Sequence, residues 1–169
     1  MNLVSRRLAS PVGELRLFAS DDALVAVHYP SRHNHTRGTP DPEATEVRRH
    51  EVLDLAAAEL REYFDGRRKV FRTPLRAEGT EFQRAVWDAL SDIPYGQSRS
   101  YADVARAIGR PKAVRAVGLA NGSNPLAIIV PCHRVIGRDG SLTGYGGGLS
   151  AKRWLLRHEG IELALEERA

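Results

Sequence analysis

Leu15 and Leu17 alternate with Glu14 and Arg16. A period of two predicts a half-buried antiparallel strand. Similar runs flank it, "LVSRRLAS" before and "ALVAVHYP" after, with Pro11-Val12-Gly13 and Asp21-Asp22 as turns between them. The polar, breaker-rich "SRHNHTRGTPDPEA" that follows reads as a loop. Over residues 46–64 the period becomes helical. Leu53, Ala56, Ala57, Leu60 and Phe64 share one face, and Asp65-Gly66 supplies a stop. A short strand, "KVFRTPL", and a linker at residues 77–79 then close a first lobe.

The second lobe is mostly helical. In "TEFQRAVWDALSDIP" Thr80 and Gln83 have capping-box spacing, and Phe82, Val86 and Leu90 recur every four residues. Trp87 reads as packing, and Pro94 closes the helix. Ser100 suits the cap of a helix through Ile108. Gly109-Arg110-Pro111 then makes a tight turn, with Pro111 at the first position of a helix over residues 112–121. Helix, short glycine-containing turn and helix form the helix-turn-helix pattern. Ala113, Val114, Ala116, Val117 and Ala120 are short and Gly118 has no side chain, which leaves Arg115 as the long side chain in mid-helix. Such a face fits close approach to a nucleic-acid groove or tight core packing, and these residues alone do not separate the two. The glycine-rich "GYGGGL" lacks the Lys-Ser/Thr of a phosphate loop. Ser150 reads as the cap of a last helix with Trp154 and Leu155 inward, followed by an acidic, fraying tail. The fold class expected is α/β (α+β): residues 1–76 as a small antiparallel sheet plus helix, and residues 77–169 as a mostly helical lobe.

Composition narrows the function classes. The chain has 169 residues, 42% apolar, and a single cysteine, so an internal disulfide is excluded and a reducing compartment fits. The N-terminus has no apolar h-region, and no apolar run is long enough to span a bilayer, so a cytoplasmic protein with no membrane partner is expected. Net charge is +4. Arg99, Arg106, Arg110, Lys112 and Arg115 face the lone acid Asp103 in that stretch, a candidate phosphate footprint. His33 and His35 lie in the polar loop with no cysteine nearby, a poor metal site. No metal or diffusible cofactor is expected.

The one thiol carries the chemistry. "AIIVPCHRVIG" (residues 127–137) places Cys132 after a strand-like apolar run and against His133 and Arg134. Nearby positive charge favours the thiolate, the nucleophilic form. Residues adjacent on a straight strand face opposite ways, so Cys132 and His133 cooperate only if the backbone turns or a water links them. Pro131 suggests such a bend. A histidine base also needs an orienting partner, which composition and periodicity do not identify.

"PCHRV" is similar to the active-site signature of the O6-alkylguanine-DNA alkyltransferases. "IPYGQSRSY", "RPKAVRAVG", "ANGSNP", "GYGGGL" and "WLLRHEG" follow the family's order and spacing. The resemblance implies a ribonuclease-H-like first lobe and a single-use repair protein. Such a protein binds duplex DNA bearing O6-alkylguanine through its helix-turn-helix, extrudes the lesion, and accepts the alkyl group on Cys132. His133 is implied as base, Glu159 as its orienting carboxylate, Asn124 as support for the turn, and Tyr101 as donor to the leaving guanine. Ser100, Lys112, Ala113 and Ala116 are implied at the DNA, with Arg115 filling the gap in the stack. The carbonyls of Cys132 and Val135 would receive the guanine amino group, and Thr143, Tyr145 and Gly146 would wall the pocket. A monomer is expected, with cooperative assembly on DNA left open. The alternatives are a lesion binder that accepts no group, a thiol-containing DNA-binding regulator and a cysteine hydrolase. The first replaces the cysteine, the second leaves "PCHRV" unexplained, and the third gives the basic helix pair no purpose.

Overall fold

The computed structural model describes residues 2–30, 41–140 and 148–163. Three strands, β1 (Val4–Leu8), β2 (Leu15–Ala19) and β3 (Leu24–His28), form an antiparallel meander. Leu15 and Leu17 are fully buried, as their period of two predicts. The first lobe departs from a purely antiparallel sheet. Thr45–Glu46 (β4) pairs parallel with β1, giving the order β3-β2-β1-β4. The helix expected over residues 46–64 therefore begins later, as α1 (Glu51–Phe64), with Leu53, Ala56, Ala57 and Leu60 against the sheet.

The strand expected at "KVFRTPL" does not form. Its N–H groups have another acceptor: Glu59, buried on α1, takes Arg72 N–H and Thr73 N–H at 2.9–3.0 Å, and also the Thr73 hydroxyl. Pro74 supplies no donor. Only an isolated bridge from Leu24 to Leu75 remains.

In the second lobe α2 (Glu81–Ser91) carries the Thr80/Gln83 capping box, with both reciprocal bonds made. The indole N–H of Trp87 donates to Ala120 O at 2.8 Å and ties α2 to the helix-turn-helix. β5 (Arg99–Ser100) leads into α3 (Tyr101–Ala107), capped by Ser100. α4 is Val114–Gly122, not residues 112–121. Ala113 N–H closes a turn on Arg110 O at 2.9 Å, so Pro111 sits in that turn rather than at the first helical position. α5 spans Leu149–His158. Its cap is Gly148, so Ser150 lies inside the first turn.

One cluster of buried side chains runs from the β1–β3 sheet through α1 into α2, α3, α4 and α5. The strand β3 meets the second lobe directly, as Val27 N–H donates to Pro125 O at 2.9 Å and Val27 bridges Leu126. A two-stranded parallel sheet joins β5 to β6 (Val135–Ile136), through Arg99 with Val135 and Ser100 with Ile136. That ladder sets the start of α3 beside the thiol-bearing segment.

Candidate active site around Cys132

The apolar run before the thiol is not a strand. Ile129 N–H bonds Ala127 O and Val130 N–H bonds Leu126 O, at 2.8 and 2.9 Å, so the run folds onto itself. Ile128 adopts φ +73, a left-handed conformation that strains a β-branched residue. Asn124 holds the loop from inside, accepting Leu126 N–H at 3.0 Å and donating its side-chain N–H to Val130 O at 2.8 Å. After Pro131 the chain makes one 3-10 turn, Cys132–Arg134. Three residues per turn spread successive side chains in three directions. Cys132, His133 and Arg134 are all buried, and each meets a different environment.

His133 and Glu159 come together: the ring Nε2 lies 2.7 Å from Glu159 Oε2, with both side chains fully buried. Arg134 grips the same carboxylate, with Nε 2.8 Å from Oε1 and Nη2 3.1 Å from Oε2, and donates Nη1 to Ile93 O at 2.7 Å. Burial works to raise the Glu159 pKa. The hydrogen bonds from His133 and Arg134 and the guanidinium charge outweigh it and hold the carboxyl well below the usual range. Burial pushes the imidazole down against the pull of Glu159. The ionised carboxylate thus accepts Nε2–H from a neutral imidazole. His133 Nδ1, buried and with no hydrogen-bond partner among the described residues, keeps its lone pair as a base.

The cation beside the sulfur is not Arg134, whose charge is directed at Glu159. It is Lys152, one turn into α5 and fully buried. Burial lowers its pKa to about 8, against the opposing charge of Cys132. Its Nζ donates to Val135 O at 2.7 Å. The Cys132 carbonyl accepts Val135 N–H and, at 3.3 Å, the side-chain N–H of Asn121. Both carbonyls expected to meet the guanine amino group therefore already accept protein hydrogen bonds. Cys132 O has two such donors, which fill its acceptor directions, and Val135 O has the Lys152 ammonium.

The expected DNA face gathers on α3 and α4. Arg115 and Ala116 are exposed on α4, beside Val114 and Leu119, and Lys112 is exposed in the preceding turn. Ala113 is half-buried as the helix cap. Ser100 is half-buried, and its hydroxyl is engaged by Asp103 N–H at 3.1 Å. Tyr101 is half-buried at the start of α3. A Cβ on Gly118 would lie 3.9 Å from its ring, an ordinary van der Waals contact, so Tyr101 packs beside α4. Thr143, Tyr145 and Gly146 lie outside the described residues, as do His33 and His35. No group of three or more potential metal ligands occurs among the described residues, and no helix among them is long and apolar enough to cross a membrane.

Two family models match in sequence order. The 6-O-methylguanine DNA methyltransferase ribonuclease-like domain covers residues 3–77, and the DNA binding domain of the same family covers residues 81–161. A methylated-DNA–protein-cysteine methyltransferase of Methanosarcina acetivorans is 48% identical over 153 residues, 89% of this chain and 94% of the relative. A constitutive one of Bacillus subtilis is 47% identical, over 90% and 92% of the two chains. The crystal structure of Mycobacterium tuberculosis OGT in complex with DNA superposes with a TM-score of 0.84 at 44% identity, covering 93% of each chain. Both halves match, in order and over nearly their whole length: the chain belongs to the 6-O-methylguanine DNA methyltransferase family.

Proposed function

We propose that this protein repairs DNA by moving the alkyl group of O6-alkylguanine from the duplex onto the sulfur of Cys132, once per polypeptide. The observation that carries the reading is the buried His133–Glu159 pair, seated in the turn that holds Cys132. Glu159 fixes the ring with Nε2–H inward. Nδ1 takes the thiol proton, directly or through a water. The thiolate attacks the alkyl carbon, the carbon–O6 bond breaks, and its electron pair leaves with the guanine, which Tyr101 helps protonate. Lys152 stabilises the anionic sulfur, and Val135 O receives the guanine amino group beside the Lys152 ammonium.

A stacked base cannot offer its alkyl carbon to a buried sulfur, so the nucleotide is extruded, which costs a few kcal/mol. The exposed small face of α4 admits close approach to the groove, and Arg115 fills the vacated position. Asn124 keeps the turn in shape. The relatives that bind DNA or act on methylated DNA support this partner and substrate. The protein acts as a monomer.

Intact-mass and peptide analysis after mixing with an O6-methylguanine duplex tests this. One methyl, about 14 Da, is expected on the Cys132 peptide, and one equivalent only, because the thioether is stable. No adduct, a methyl on another residue, or repeated turnover overturns the reading.

A further inference from the structure

We propose that Tyr63, in the first lobe, is a positioning residue for alkyl transfer: its hydroxyl holds the Glu159 carboxylate in the orientation that aligns His133. This rests on the transfer reading above. Tyr63 lies near the end of α1 and is fully buried. Its hydroxyl donates to Glu159 Oε2 at 2.6 Å, across 96 residues of sequence. That oxygen is the one that accepts His133 Nε2 at 2.7 Å and Arg134 Nη2 at 3.1 Å. The other oxygen takes Arg134 Nε at 2.8 Å and Gly96 N–H at 3.2 Å. Five donors therefore saturate a group with about four lone-pair sites, and every donor except Tyr63 comes from the second lobe.

The phenol sits where it can decide the carboxylate's orientation. Without it, Arg134 is the strongest neighbour, and its planar fork favours turning both oxygens toward the guanidinium. The imidazole would then lose its aligned acceptor. Tyr63 cannot take the opposite role, because burial and the Glu159 charge keep its hydroxyl protonated.

The residue is itself held in place from the side of the second lobe. His158 Nε2–H donates to Tyr63 O at 2.6 Å, and the His158 ring lies edge-on to Tyr63 and stacks on Trp154 at 4.7 Å. The phenol and the carbonyl of one residue thus meet Glu159 and His158, consecutive positions at the end of α5. Because α1 packs on the sheet, the first lobe contributes a group to the transfer site.

The test is a double-mutant cycle in the full chain. Tyr63→Phe removes one oxygen and keeps the ring. Its single-turnover rate constant on an O6-methylguanine duplex is expected to fall about tenfold or more, as is usual for a partner that orients a reactive histidine. Melting temperature is recorded beside it, and the rate constant is independent of the active fraction. In a Glu159→Gln background the same change is expected to have an effect of less than about twofold, since residues acting through one another are not additive. A merely structural phenol would slow both backgrounds alike. An unaltered rate in Tyr63→Phe, or equal losses in both backgrounds, overturns the proposal. If the unsubstituted protein transfers no methyl, the transfer reading itself fails; the cycle is then read on alkylation of Cys132 by iodoacetamide, where the same expected and overturning outcomes apply.

Discussion

His133 Nε2 and Glu159 Oε2 lie 2.7 Å apart with neither side chain exposed to solvent. Both groups titrate below their ordinary values of 6.5 and 4.5. In the unfolded chain each takes up a proton at a pH where the folded chain does not, so stability rises with pH through those ranges and is lost on acidification. Resistance to urea unfolding is expected to fall from pH 7 to pH 4, by up to about 1.4 kcal/mol per pH unit for each proton taken up. Glu159→Gln should flatten the limb below about pH 4.5, because the variant has no carboxyl to protonate there. An unchanged limb in that variant would assign the acid sensitivity to other groups.

Lys152 gives a pH dependence to the reactivity of the thiol. Its ammonium persists up to about pH 8. Lys152→Met keeps the length of the side chain and removes the charge beside Cys132. Reaction of Cys132 with iodoacetamide at pH 7 should slow by about tenfold, since the thiolate is the reactive form and loses a neighbouring cation. The difference between variant and parent should shrink above pH 8, where the parent also becomes neutral. A difference that stays constant from pH 6 to pH 10 would show that the charge is not what Cys132 uses.

Arg115 is exposed on α4 and belongs to none of the buried networks. Arg115→Ala should slow transfer from duplex DNA by about tenfold or more, equal to ~1.4 kcal/mol of the few that extrusion costs. Transfer from free O6-benzylguanine, which needs no extrusion, should be close to unchanged. Equal slowing on both substrates would remove the arginine from the extrusion step.

Gly79 tests the joint between the lobes without touching the site. A Cβ there would stand 2.6 Å from the Trp87 ring and 2.8 Å from Gln83 Oε1. Neither neighbour retreats easily, because Trp87 is buried and bonded to Ala120 O, and Gln83 closes the capping box. Gly79→Ala should destabilise the fold by about 1–3 kcal/mol, the usual penalty of overpacking. Denaturant unfolding measures this, while the transfer rate constant of the folded protein should be retained.

What could be read from the chain was local. The alternation at Leu15 and Leu17 places β2, and Thr80 with Gln83 places the start of α2. Pro131 signals the bend at the thiol, although the run before it folds into tight turns rather than a strand. The sequence places the start of α4 too early because Pro111 fits a first helical position and a turn equally well, and the Arg110–Ala113 hydrogen bond separates them. The strand at residues 69–75 failed for a non-local reason, the Glu59 carboxylate taking its N–H groups.

The site divides in the same way. His133 is next to Cys132 in sequence, but the carboxylate that orients it is 26 residues away, and the residues themselves did not single it out before the resemblance did. Lys152 reads as an ordinary helix lysine in "LSAKRW". Its depth follows from how α5 docks on Val135, which no local period encodes. Tyr63 is outside the α1 face that the period marks, where Phe64 stands instead, and its partner lies in the other lobe.

The pairing of Val27 with Pro125 and Leu126 has one more consequence. A border strand left bare is a template for joining to another chain. Here that border of β3 is sealed partly by Leu75 and partly by the loop that leads to the nucleophile. Prising the loop open would therefore do more than silence the chemistry. It would uncover a strand ready to recruit a second molecule, and damage to the turn would be felt as insolubility as well as inactivity.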